Sequence, residues 1–139
     1  MITCQIALCA DRTIQDATTN SISLIGVLER IRPVGLPFML AGVSCYFVLN
    51  RDGNDPEQID VLLRVKLNDL ELARHQGPVS FQGLFQTRLI INFFGFPITS
   101  PGLFQASLSM NDQIVGSYEF TIEVPTAPAQ MILPTITRS

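Results

Sequence analysis

Strict alternation of apolar and polar residues is the feature that most constrains this chain. In LFQASLSMNDQIVGSYEFTIEV, Leu103 to Val124, one apolar set runs out through Phe104, Ala106, Leu108 and Met110. Another returns through Ile114, Gly116, Tyr118, Phe120, Ile122 and Val124, with Asn111, Asp112 and Gln113 between them. A period of two belongs to a half-buried strand, because successive side chains point to opposite faces of a sheet. Burial then selects the register. A two-residue turn at Asn111-Asp112 pairs Leu108 with Val115 and sends the two apolar sets to opposite faces. A three-residue loop pairs Met110 with Ile114, Leu108 with Gly116, Ala106 with Tyr118 and Phe104 with Phe120, which keeps both sets on one core. A one-residue slip exposes several side chains worth about 1.5–3 kcal/mol each when buried. The spacing therefore predicts the loop Asn111-Asp112-Gln113, closed by a residue at positive φ.

Period two recurs along the chain, and no window of about a dozen residues holds a period of 3.6. Ile2, Cys4, Ile6 and Leu8 share one face of a first strand, with Thr3, Gln5 and Ala7 on the other. Asp11 to Asn20 is a polar connection. In Ser21 to Ile31 the apolar parity changes at Gly26, from Ile22 and Leu24 to Val27 and Ile31, which indicates a bulge or bend. Val43, Cys45, Phe47 and Leu49 line a third strand, and RDGNDPEQ (Arg51 to Gln58) reverses it. Ile59, Val61, Leu63, Val65 and Leu67 alternate next, and Asn68-Asp69 turns into a short ELAR strand. Further strands follow near Val79 to Phe85 and Thr87 to Phe96. The connections leave no room for helical crossovers. The expected architecture is all-β: an antiparallel immunoglobulin-like sandwich of about 7–9 strands with little helix. It occupies residues 1–124 as one domain, followed by a Pro-rich tail, 125–139, that is extended or disordered.

Charge and cysteine usage narrow the partners. The net charge is −3, with 47% apolar and only 15% charged residues, below the usual quarter. A small negative charge does not suit a chain that tracks phosphates, so nucleic acid is not expected as a partner. No run reaches the roughly 18 apolar residues of a membrane span, and no basic signal segment opens the sequence. The three cysteines, Cys4, Cys9 and Cys45, are an odd number. They read as buried thiols of a reducing compartment, and the expected location is the cytoplasm.

The search for chemistry finds little. His75 is the single histidine, set in the polar turn ARHQGP. A Ser-His or Cys-His pair needs its base within hydrogen-bond reach of the nucleophile, and a solvated loop histidine is the simpler reading. Cys4 and Cys9 are five apart, so on a regular strand they face opposite ways and cannot grip one ion. Cys4 and Cys45 fall in phase with apolar neighbours, as small buried hydrophobes do. AGVSCY around Ser44 resembles a nucleophile elbow but lacks its second glycine and following helix. No catalytic residue, no cofactor site and no enzyme activity are expected. The candidate metal ligands are Asp52, Asp55 and Glu57 in RDGNDPEQID, with Asp11 and Asp16 at a second tip. Calcium takes such oxygens, but the same residues are ordinary turn formers.

The more informative excess is apolar. In LIINFFGFPI, Leu89, Ile91 and Phe93 serve one face while Ile90 and Phe94 serve the other. A strand apolar on both sides is either covered by other structure or part of an interface. Ile25, Val27 and Ile31 raise the same question, and Arg30 and Arg32 stand where they could rim such a surface. The expectation is a non-enzymatic module that binds a protein partner or itself as a homo-oligomer. The alternative is a loop-tip module for Ca²⁺, a sugar or a lipid headgroup.

Several short motifs carry a resemblance. Cys9-Ala10-Asp11, the stretch SLIGVLERI from Ser23 to Ile31, and Pro97, Ile98, Pro101 and Gly102 are spaced as in a family of small uncharacterised bacterial β-sandwich proteins. That family has an N-terminal CAD motif and an S-x-x-G-x-x-E-R-I strand. Here Gly102-Leu103-Phe104 carries Phe where the family pattern has Tyr. The resemblance implies a compact β-sandwich and supplies no catalytic residues.

Overall fold

The alternating segments form nine strands and no helix among residues 1–124, which the structure, a computed structural model, describes. They are β1 (Thr3–Gln15), β2 (Ile22–Val27), β3 (Arg30–Ile31), β4 (Phe38–Asn50), β5 (Gln58–Leu67), β6 (Leu70–Ser80), β7 (Gln86–Ile98), β8 (Gly102–Met110) and β9 (Gln113–Ile122). A four-stranded sheet runs β2-β1-β4-β7, and a five-stranded sheet runs β3-β9-β8-β5-β6. Every pairing is antiparallel except that of the short β3 with β9. The two sheets make the expected sandwich. The Pro-rich tail lies outside the described residues. Among them, no helix is long and apolar enough to cross a membrane.

The inward faces meet in one apolar core. Phe47, Leu49, Leu63, Val65, Phe81, Phe104, Leu108, Phe120 and Ile122 are almost completely buried there. The Phe104 and Phe120 rings stack with centroids 4.5 Å apart, and Phe96 meets Phe104 edge-on at 5.7 Å. Offset and edge-on arrangements suit the quadrupoles of aromatic rings and add to the burial term.

The closing ribbon keeps its expected core register by a different route. Leu108 pairs with Gly116, Ala106 with Tyr118 and Phe104 with Phe120. The tip, however, is a two-residue turn: Met110 pairs with Gln113, and Asn111 and Asp112 both take positive φ (52° and 65°). A register shift between Leu108 and Ser109 supplies the missing residue on β9. The tight turn matches strand twist, and the bulge restores the buried face.

A bulge overturns the expected facing of β1. The register of β1 against β4 shifts between Cys4 and Ile6, so Cys4 pairs with Leu49, Ala7 with Phe47 and Cys9 with Cys45. Cys4, Ala7 and Cys9 therefore all turn inward, and Ile6 and Leu8 face out. In β7 the inward set changes from Ile91 and Phe93 to Phe96 and Ile98 across Gly95, whose φ of 81° only glycine adopts freely. Gly26, where a bulge or bend was expected, takes φ 71°, and the β1–β2 register runs past it without a shift. The strand after Asn68-Asp69 is not short: β6 extends through ARHQGP, so His75 stands on a strand rather than in a turn. Nor does RDGNDPEQ close a hairpin. It carries the chain from β4 in one sheet to β5 in the other.

Candidate functional site

The four strands of the smaller sheet contain only three charged side chains, Asp11, Arg12 and Arg88. Their register sets out the outer face row by row. Ile6, Val48 and Arg88 form one row, Leu8, Tyr46 and Ile90 the next, and Ala10, Ser44 and Asn92 a third. Directly paired residues emerge on one side of a sheet, so each row is a surface neighbourhood. The fourth row pairs Phe94 with Gly42. Glycine offers nothing to cover the ring, and Phe94 is left 82% exposed.

A polar cluster lies beside that ring. Ser44 is only 1% exposed although it faces outward. Its hydroxyl donates to Asn92 Oδ1 at 2.6 Å and lies 3.2 Å from the Thr13 hydroxyl. A buried hydroxyl needs such a partner, and the bond holds the Asn92 amide in place. Asp11, Arg12, Thr13, Gly42, Asn92 and Phe94 line a groove of about 180 Å³ at this end of the sheet. Its lining includes two phenylalanines, Phe93 and Phe94, one arginine, one carboxylate and the neutral hydrogen-bonding side chains of Thr13 and Asn92. Ser44 thus positions Asn92 and is no nucleophile elbow: it sits mid-strand in β4.

The outer face of the five-stranded sheet differs in kind. Arg64 pairs directly with Arg74 across β5 and β6. Glu71 holds both, accepting two hydrogen bonds from Arg74 at 3.1 Å and lying 3.7 Å from Arg64. The Arg74 guanidinium keeps the Glu71 carboxyl below the usual carboxylate range. Lys66, Asp60 and Glu119 lie on the same face, so charges of both signs are mixed across it. A groove of about 360 Å³ lies on it beside Arg64, Lys66, Gln105, Ser107 and Ser109.

The candidate metal ligands have other occupations. Asp52 and Asp55 take the Met1 ammonium at 2.6 and 2.7 Å, and Asp55 also accepts from the Asp52 N–H at 2.7 Å. The ammonium holds the Asp55 carboxyl below its ordinary range. Glu57 is exposed, and its carbonyl accepts from the Phe81 N–H. Among the described residues, no three His, Cys, Asp or Glu side chains are grouped to hold an ion. His75 is exposed on the edge strand β6, opposite Leu63.

The candidate interface residues divide. Ile90 and Phe94 lie on the outer face of the smaller sheet, and Ile25 and Val27 lie on its edge strand, paired with Arg12 and Ala10. Ile31 is elsewhere: it sits on β3 beside Ile122 and packs against the core. Arg30 and Arg32 both approach Glu123 at 3.4 Å, away from that face. Sequence reading missed Thr13, Ser44 and Asn92 as a group. The available signal was the lone Asn92 interrupting an apolar run.

No curated protein matches this sequence. Among 51 matching chains of solved structures, one is the Pseudomonas fluorescens alkylpurine DNA glycosylase AlkC, bound to DNA containing an abasic site analog. It is 12% identical, with a TM-score of 0.50 over 87% of this chain, and the match takes in only 30% of that chain. At that identity the likeness is one of fold. It nevertheless corrects the expected function, a module for a protein partner or a second copy with a loop-tip ligand site as alternative: this fold also forms part of a DNA glycosylase solved on DNA. The exclusion of nucleic acid rested on a net charge averaged over the whole chain. Charge acts locally, and the smaller sheet carries two arginines against one carboxylate. The model of DUF6941, a family of unknown function, matches residues 5–123, and the chain belongs to that family.

Proposed function

We propose that this sandwich binds single-stranded nucleic acid across the outer face of its four-stranded sheet. The observation that carries the reading is the uncovered ring of Phe94 at a groove shared with Arg12, Thr13 and Asn92. Single strands are held by aromatic faces on which bases stack and by cations that follow the backbone. Phe94 supplies the first, and Arg12 and Arg88 the second. Thr13 and Asn92 offer donors and acceptors to a base edge. The DNA-bound glycosylase of similar fold lends the reading support. On this reading the chain acts by binding. The three free thiols suit the cytoplasm.

The test is fluorescence anisotropy of labelled oligo-dT, and of a duplex of equal length, at low salt. The expected result is preference for the single strand and a salt slope of about −0.7 per phosphate neutralised. Phe94→Ala should weaken binding roughly 5- to 150-fold, from about 1–3 kcal/mol per stacked base. Absence of binding, preference for the duplex, or an unaffected Phe94→Ala variant would overturn the reading.

A further inference from the structure

Cys9 and Cys45 are direct partners on β1 and β4, both in the core. Both are free thiols, and their sulfurs lie 3.7 Å apart. Backbone hydrogen bonding defines what kind of pair they form. The Cys9 carbonyl accepts from the Leu28 N–H at 2.9 Å, on the β2 side. In an extended strand a residue's N–H and C=O point the same way, so the Cys9 backbone groups face away from β4. Cys9 and Cys45 are therefore a non-hydrogen-bonded pair of the β1–β4 ladder. At such pairs the Cα atoms approach to about 4.5 Å and the side chains stand closest. That separation lies within the span of about 4.4–6.8 Å that a disulfide bridges, and closure brings the sulfurs to about 2.05 Å. The third thiol is placed otherwise. Cys4 pairs with Leu49, and its sulfur points to the Ile6 carbonyl at 3.1 Å.

We propose that Cys9 and Cys45 are an oxidisable dithiol that closes to a cross-strand disulfide on exposure to a small-molecule disulfide such as oxidised glutathione. One protein thiolate attacks the small disulfide and releases one small thiol. The second protein thiolate then displaces the other. Two S–H bonds and one small S–S bond are lost, one protein S–S bond forms, and the small disulfide is reduced to two thiols. The neighbouring Cys45 thiol and burial both push the Cys9 thiol up from its ordinary range, so little thiolate exists while the sandwich is closed. Exchange waits on local opening of β1 from β4, and the bond once made is shielded from reductants by the same core. It ties the two central strands of the smaller sheet across a separation of 36 residues. This inference stands apart from nucleic-acid binding.

The experiment incubates the reduced full chain with oxidised glutathione, quenches in acid, alkylates in denaturant and weighs the product. The expected product has lost two hydrogen masses, carries one alkyl group on Cys4, links the Cys9 and Cys45 peptides, and unfolds at a higher urea concentration than the reduced chain. Cys4→Ser should lose the same two hydrogens. Three alkylated cysteines after prolonged exposure, stable glutathione adducts on Cys9 or Cys45, or a bond involving Cys4 would each overturn the proposal.

Discussion

The side-chain amide of Asn68 fills the space that any side chain at Gly102 would need. Asn68 Nδ2 donates to the Pro101 carbonyl at 2.9 Å, and Asn68 Oδ1 accepts from the Leu103 N–H at 3.0 Å. Asn68 belongs to the two-residue turn between β5 and β6, with φ of 51° there and 69° at Asp69. A turn in the five-stranded sheet thereby clamps the point where the chain enters that sheet from β7.

Gly102→Ala should therefore destabilise the fold. Its φ of 151° costs a Cβ-bearing residue about 1–3 kcal/mol, and the methyl group also displaces the Asn68 amide. Asn68→Ala alone should cost about 1–2 kcal/mol through its two hydrogen bonds. Because both changes break the same clamp, the double variant should lose less than the sum in urea denaturation. Additive losses would show that the clamp is not shared.

Phe104 joins the stack with Phe120 to the edge contact with Phe96 and is almost completely buried. Phe104→Ala should cost about 3–5 kcal/mol, and Phe104→Leu distinctly less because it leaves a smaller cavity. A loss below about 1 kcal/mol for the alanine variant, at unchanged denaturant slope, would contradict this packing.

Phe94 should behave in the opposite way. With its ring uncovered opposite Gly42, Phe94→Ala should change stability by no more than about 0.5 kcal/mol. A thermal melt indistinguishable from the parent chain, alongside weakened oligo-dT binding, would separate the ring's function from the fold. A large loss of stability would show that the ring is covered in solution.

Acid should loosen the connection between β1 and β2. Asp16 accepts from the N–H groups of Thr19 at 3.1 Å and Thr18 at 2.7 Å, which holds its carboxyl below the ordinary range. A depressed folded value means stability that is present above the unfolded value, about 3.9, and is lost as pH falls through the folded one. Asp16→Asn should melt below the parent chain at pH 6, and the gap should close under strong acid. A gap that stays constant with pH would remove the carboxylate from the account.

These outcomes separate what was readable in the residues from what was not. Alternation around Phe104 and Phe120 located the buried face of the closing ribbon, and the parity change at Gly26 pointed to a bulge or bend at a residue that takes positive φ. Ile6, Leu8 and Cys9 were misread because their parity relative to Cys4 was counted along a regular strand, whereas a shift before Ile6 puts Cys4 and Cys9 on one face and sends Ile6 and Leu8 to the other. Gly95 hides its switch because phenylalanines stand at both parities around it. The groove was less legible still. Thr13, Ser44 and Asn92 come from three strands, and nothing in their local sequence announces that they meet.

Alternation is a local property, set by a backbone that turns each side chain to the opposite face from the last, so the residues alone determined that this chain makes strands and which side chains most of them bury. Sheet membership, the bulges that repair each register and the exposure of Phe94 opposite Gly42 depend on strands distant in sequence. They follow only when two faces close and each row must find room against its neighbours, and that competition was decided by the tertiary structure.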